Sequence, residues 1–127
     1  MKAVIICGPT GAGKSSLALN LAEKFEGVII NADSVQIYRE IKILSGRPTS
    51  DDYRKAPHRL YGIMSIFKPC TLGVWRKMAL EIIKECERSG HLPIICGGTG
   101  LYIKFLLNEL SLQFSTKLCW REIFATR

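Results

Sequence analysis

Apolar residues fall along this chain in short runs separated by glycine-rich and polar turns, and the runs alternate between two periods. Lys2-Ala3-Val4-Ile5-Ile6-Cys7 is a continuous apolar stretch of the kind that forms a strand buried on both faces. Ser16 to Phe25 has helical character, and Gly27 to Ala32 is a second apolar strand closed by Asp33 and Ser34 as a turn or helix cap. Residues 45–52 read as a polar loop, and Ala56 to Ile66 is expected to hold a further short strand ending before Pro69. From Thr71, the positions Trp75, Met78, Ala79, Ile82, Ile83 and Cys86 form the stripe of an amphipathic helix, with Thr71 as N-cap and Gly90 as C-terminal stop. Leu92 to Cys96 is then another core strand, followed by Gly97-Gly98-Thr99-Gly100 and an apolar helix from Leu101 to about Leu110. From Gln113 onward no well-patterned helix can be read. Strands alternating with helices predict an α/β fold, a parallel sheet with helices on both faces. In such sheets ligands bind beyond the carboxyl ends of the strands, so the loops carrying Lys14, Asp33 and Thr99 are expected to share one crevice.

The turn after the first strand carries chemistry. Gly8-Pro9-Thr10-Gly11-Ala12-Gly13-Lys14-Ser15 satisfies the G-x-x-x-x-G-K-[ST] phosphate-binding loop in full, in the strand-to-helix context it requires. The glycines let several backbone N–H groups converge on one anion, and the helix N-terminus adds partial positive charge. Lys14 is the residue to neutralise phosphate oxygens and Ser15 the one to hold Mg²⁺ through its hydroxyl. The sheet is therefore expected to be P-loop NTPase-like. Taken alone, this loop says ATP or GTP.

Composition narrows the classes. The 127 residues suit one modest domain, and no apolar run is long enough for a transmembrane helix, so a cytoplasmic protein without a membrane partner is expected. Five scattered cysteines without a C-x-x-C pair read as reduced and structural. The formal net charge of +7 favours a polyanionic partner, although the lysines and arginines are spread without a dense block.

Four segments in order, Gly8 to Ser15, Asn31-Ala32-Asp33-Ser34-Val35-Gln36-Ile37-Tyr38, Pro57-His58-Arg59-Leu60 and Gly97-Gly98-Thr99-Gly100-Leu101-Tyr102, resemble the tRNA dimethylallyltransferase (tRNA isopentenyltransferase) family over about residues 3–112. The resemblance implies prenyl transfer from dimethylallyl diphosphate to N6 of the adenosine just 3′ of the tRNA anticodon, with Mg²⁺. Asp33 matches the family's general base. Lys14, the loop amides and Mg²⁺ on Ser15 would stabilise the departing diphosphate, and Thr99 matches the threonine that hydrogen-bonds near its bridging oxygen. Asp33, Ser34, Val35, Gln36 and Thr99 match the tRNA-contacting positions, and Arg121 stands where the family often has a further tRNA-contacting arginine. Without the resemblance, Asp33, Ser34 and Thr99 read as helix caps, Tyr38 and Tyr102 as packing residues, and His58 as a loop residue.

The family is typically more than twice this length, so residues 1–112 are expected to be its P-loop core and 113–127 a divergent tail. The helical insertion that grips the anticodon stem–loop, later diphosphate-binding arginines and a C-terminal segment have no counterpart here. Leu44 stands where a glycine is usual and Gly62 where an aspartate is usual. A monomeric remnant that keeps the diphosphate site is one expectation; a second polypeptide supplying the remainder is another. A small P-loop kinase and a non-catalytic nucleotide- or RNA-binding fragment are the competing readings.

Overall fold

The computed structural model describes residues 2–7, 13–41, 47–98, 102–104, 106 and 119–124. Strand β1 (Lys2–Cys7) leads to helix α1 (Lys14–Phe25) and strand β2 (Gly27–Asn31). Helix α2 (Ser50–Lys55), strand β3 (His58–Arg59), helix α3 (Leu72–Ser89), strand β4 (Leu92–Gly97) and strand β5 (Cys119–Phe124) follow. The sheet order is β3-β2-β4-β1-β5, and every pair is parallel. Pairing runs from Gly27 beside Leu92 to Asn31 beside Cys96, and from Val4 beside Ile94 to Cys7 beside Gly97. This register brings the carboxyl ends of β1, β2 and β4 to one edge of the molecule.

Both sheet faces are covered, as the continuous apolar runs demand. On one face Ile5, Val28, Ile30 and Ile95 pack against Trp75, Ala79, Ile82 and Ile83 of α3 and the helical residues Tyr102, Ile103 and Leu106. On the other, Ile6, Ile29, Ile94 and Cys96 pack against Ala18 and Ala22 of α1. Small residues seat α1 low on the sheet. A Cβ on Gly27 would meet Ile94 Cδ1 at 2.6 Å and Ala22 Cα at 3.2 Å, so glycine permits that approach. Helix α3 begins where its pattern predicts, the Thr71 side chain accepting from Val74 N, and ends on Gly90 at φ 74°.

Three elements depart from the sequence expectations. Residues 50–52, read as loop, open α2, because Thr49 and Asp52 form a reciprocal capping box. The strand expected within Ala56 to Ile66 is reduced to His58–Arg59 beside Ile29 and Ile30, with an isolated bridge from Tyr38 to Met64. Residues 119–124, where the sequence predicts no element, form a strand along β1, with Arg121 beside Val4. Among the described residues no helix is long and apolar enough to cross a membrane.

Candidate diphosphate and acceptor site

Of the phosphate-loop residues, Gly13, Lys14 and Ser15 are described; Gly8, Pro9, Thr10, Gly11 and Ala12, like Thr99, Gly100 and Leu44, lie outside the described residues. Gly13 adopts φ 85°, a left-handed conformation that suits glycine, and its carbonyl accepts from Leu17 N. It caps α1 without a side-chain hydrogen bond, and the first turn holds no acidic residue. The end of α1 thus presents amides and positive dipole together with Lys14 and an exposed Ser15.

Asp33 lies two residues past the end of β2 and is fixed by its neighbours. Its Oδ1 accepts from Val35 N at 2.8 Å and, more weakly, from Gln36 N at 3.4 Å, which curls residues 33–36 into a turn. The sequence reading did not single out Asn31, which holds this turn. Fully buried, Asn31 accepts from Asp33 N at 2.8 Å and donates through Nδ2 to Asp33 O at 3.0 Å and Leu60 O at 2.9 Å. Its position in the Asn31-Ala32-Asp33 run was the available signal, but the partner at Leu60 is visible only in three dimensions. Gly97 seals the same corner, since a Cβ there would run into the backbone of Ala32 and Asp33.

Lys14 and Asp33 both act on Cys96, at the end of β4. Burial pushes the Cys96 thiol up to about 11; the nearby Lys14 cation opposes that rise, while Asp33 and Cys7 add to it. Of the three loops predicted to share a crevice, those carrying Lys14 and Asp33 both lie within electrostatic reach of Cys96, and Thr99 lies outside the described residues. Burial also raises the Tyr61 phenol well above its ordinary range, with Cys96, Tyr53 and Asp33 adding to the effect.

Beside this point a cavity of about 140 Å³ separates α1 from residues 48–61; Ile29 and Cys96 line it from the sheet, and Ser15, Gln36, Asp52 and Tyr61 add polar groups. Ser34 and Gln36 are half-buried and Val35 is exposed. His58 stacks obliquely between Tyr53 and Tyr61, and Nδ1 bonds Ala56 O at 2.8 Å, so a carbonyl partner assigns the proton to Nδ1. Tyr38 serves structure, its hydroxyl accepting from Cys70 N, and Tyr102 lies 4.7 Å from Trp75 between ring centroids. Arg47 donates to Tyr38 O and Arg39 O, and its guanidinium occupies the space a side chain at Gly62 would need. Arg121 sits on the edge strand β5, on the far side of β1 from β4.

Among the described residues, Cys7, Cys70, Cys86 and Cys96 form no disulfide. No group of three metal-ligating side chains occurs among the described residues. The exposed Ser15 hydroxyl at the N-terminus of α1 fits Mg²⁺, which takes one or two protein ligands and fills its shell with phosphate oxygens and water.

A family model described as "IPP transferase" matches residues 36–125, and one described as "Isopentenyl transferase" matches residues 1–67. The chain is 48% identical over 108 residues to a tRNA dimethylallyltransferase of Rhodospirillum rubrum, covering 85% of this chain and 33% of that protein. It superposes on the full-length tRNA isopentenylpyrophosphate transferase of Bacillus halodurans with a TM-score of 0.81 at 32% identity, covering 87% of this chain and 37% of that one. A eukaryotic dimethylallyltransferase acting on tRNA gives a TM-score of 0.79 at 32% identity, with 83% and 26% covered. The chain thus spans about a third of the length of the relatives it matches. With family models matching along most of its length and a sheet that superposes on solved members, the chain belongs to the IPP transferase family.

Proposed function

We propose that this chain forms the donor-binding and base-bearing part of a cytoplasmic tRNA dimethylallyltransferase. The observation that supports the reading is that the Lys14 cation and the Asp33 carboxylate both lie within electrostatic reach of Cys96, whose carbonyl accepts from Ala32 N at 2.9 Å. Residues Gly8 to Ser15 cradle the diphosphate of dimethylallyl diphosphate, a role motif-based reasoning would give to ATP. Mg²⁺ on Ser15 would add charge stabilisation for the leaving diphosphate.

In the transfer, the lone pair on N6 of the adenosine forms the new C–N bond to C1 of the prenyl group. The C1–O bond breaks with its electron pair going to the diphosphate, and Asp33 takes the N6 proton. The Val35 and Gln36 amides already occupy Oδ1, so Oδ2 is assigned the proton. Thr99 hydrogen-bonds the bridging oxygen, Ser34, Val35 and Gln36 contact the acceptor, and Arg121 contacts tRNA outside the crevice.

Calorimetry with Mg²⁺ separates this reading from a kinase. Dimethylallyl diphosphate should bind at least tenfold tighter than ATP, and Lys14→Ala should abolish that binding. Preference for ATP overturns the reading. Incubation with unmodified tRNA and dimethylallyl diphosphate then tests transfer, with Asp33→Asn expected to retain donor binding and lose product.

A further inference from the structure

Beyond the Asp33 turn, two segments run together at the same edge of the sheet. Gly62 N donates to Gln36 O and Ile63 N to Ile37 O, each at 2.9 Å, and Arg39 N donates to Met64 O at 2.9 Å. Residues 65–68 then make a tight turn built around one carboxylate. Glu40 Oε2 accepts from Ser65 Oγ at 3.0 Å and Oε1 from Ile66 N at 3.0 Å. Ser65 Oγ accepts from Phe67 N at 3.2 Å, and Lys68 N closes the turn on Ser65 O at 3.0 Å. The Ile66 amide, with help from Ser65 and Arg39, keeps the Glu40 carboxyl below its usual range, so the clamp is charged at neutral pH.

This turn carries Phe67 with 85% of its surface exposed, the most exposed large apolar residue among those described. Ile63 and Ile66 beside it are each 42% exposed, and Val35 on the adjoining segment 46%. The exposed cations Arg39 and Lys68 flank the turn, Arg39 lying 3.9 Å from the Glu40 carboxylate and donating to Ile63 O at 3.3 Å. Four hydrogen bonds, two of them to Glu40, fix the turn that holds this ring in water. Beside cations, it has what a flexible polyanion with flat apolar bases requires: a stacking face and charge for the backbone.

We propose that the Ser65–Lys68 turn is a contact surface for single-stranded RNA, with Phe67 stacking on an unpaired base of the acceptor's loop. The proposal rests on the tRNA reading above. Charge complementarity favours RNA over a protein: the chain carries a formal net charge of +7, and around the apolar surface Arg39 and Lys68 outnumber the Glu40 carboxylate, whose oxygens are engaged by Ser65 and Ile66.

The test titrates the 127-residue protein with a synthetic unmodified anticodon stem–loop and with a fully paired RNA of equal length. Phe67→Ala should weaken stem–loop binding roughly tenfold and leave binding of the paired RNA unchanged. Phe67→Trp should keep the affinity and add indole fluorescence that the stem–loop quenches. Equal stem–loop affinity of wild type and Phe67→Ala overturns this proposal alone. Failure of the wild type to bind the stem–loop, with dimethylallyl diphosphate still bound, overturns it together with the tRNA contact it rests on. Self-association of the wild type that Phe67→Ala abolishes assigns the surface to a second copy and overturns it as well. Thermal melts of each variant should match wild type, since Phe67 fills no core.

Discussion

The Trp75 indole N–H donates to the Asn31 carbonyl at 2.7 Å, tying the first turns of α3 to the last residue of β2. Trp75 is fully buried, and this bond is what makes an indole, and not simply an aromatic ring, suitable at its position. Trp75→Phe keeps a ring for Tyr102 to pack on and removes the donor. The expected loss is about 2 kcal/mol of unfolding free energy, read as a lower urea midpoint at unchanged slope.

Asn31 passes that anchorage to Asp33. Asn31→Ala strands the Asp33 amide and removes the donor from the Leu60 and Asp33 carbonyls, with an expected cost of about 3 kcal/mol. Asn31→Asp should be no better, because a carboxylate offers acceptors where two carbonyls need a donor. Under the proposed function, a prenylation assay should show a fall in product formation for both, with donor affinity preserved, since neither change touches Lys14 or Ser15.

Gly97→Ala tests the close passage of β4 under the Asp33 loop. The added methyl meets the backbone of Ala32 and Asp33, which no side-chain rotation relieves. The variant should lose at least about 3 kcal/mol or fail to accumulate as folded protein. Native thermal unfolding at the wild-type temperature would contradict the geometry.

The Cys96 thiol predicts a weakness at high pH. Its folded-state value is raised from 9.0 to about 11, so between those values the unfolded chain releases a proton that the folded chain keeps. Stability therefore falls as pH rises through this window, by about 3 kcal/mol from this group, and the contribution is fully present below pH 9. Urea titrations at pH 8 and above pH 10 should show a steep loss in wild type and a shallower one in Cys96→Ala. At neutral pH, Cys96 should react with iodoacetamide far more slowly than an unfolded-chain thiol.

Thr49→Ala should fray α2. The capping box supplies two of the hydrogen bonds at the start of this six-residue helix, and about 1 kcal/mol of local stability goes with it. Faster hydrogen exchange at Asp52 and Tyr53, with α1 and α3 unaffected, is the expected signature.

The elements that were legible in the sequence bury a stripe or a run. β1, β2, β4, α1 and α3 follow from apolar periodicity, and Thr71 and Gly90 mark the ends of α3 because the caps act locally. Helix α2 buries none of its residues, so periodicity is silent there, although the Thr49–Asp52 spacing was a readable cap. Strand β3 owes its two residues to pairing with β2, and β5 to pairing with β1, and neither partner is encoded nearby in sequence. The placing of the Lys14 and Asp33 loops within reach of Cys96 was legible because α/β topology dictates it. Asn31 as the holder of Asp33 was not, since its role depends on Leu60 and Trp75, 29 and 44 residues away.

The low seat of α1, on Ala18, Ala22 and Gly27, divides the site into parts of unequal mechanical character. Lys14 and Ser15 stand on a helix closely seated on the sheet, whereas the facing wall of the cavity is assembled from caps, turns and a two-residue strand. Changes confined to residues 48–61 can reshape that wall of the cavity without disturbing the seat of Lys14 and Ser15. Under the proposed function, this architecture makes acceptor choice and donor affinity separately adjustable traits.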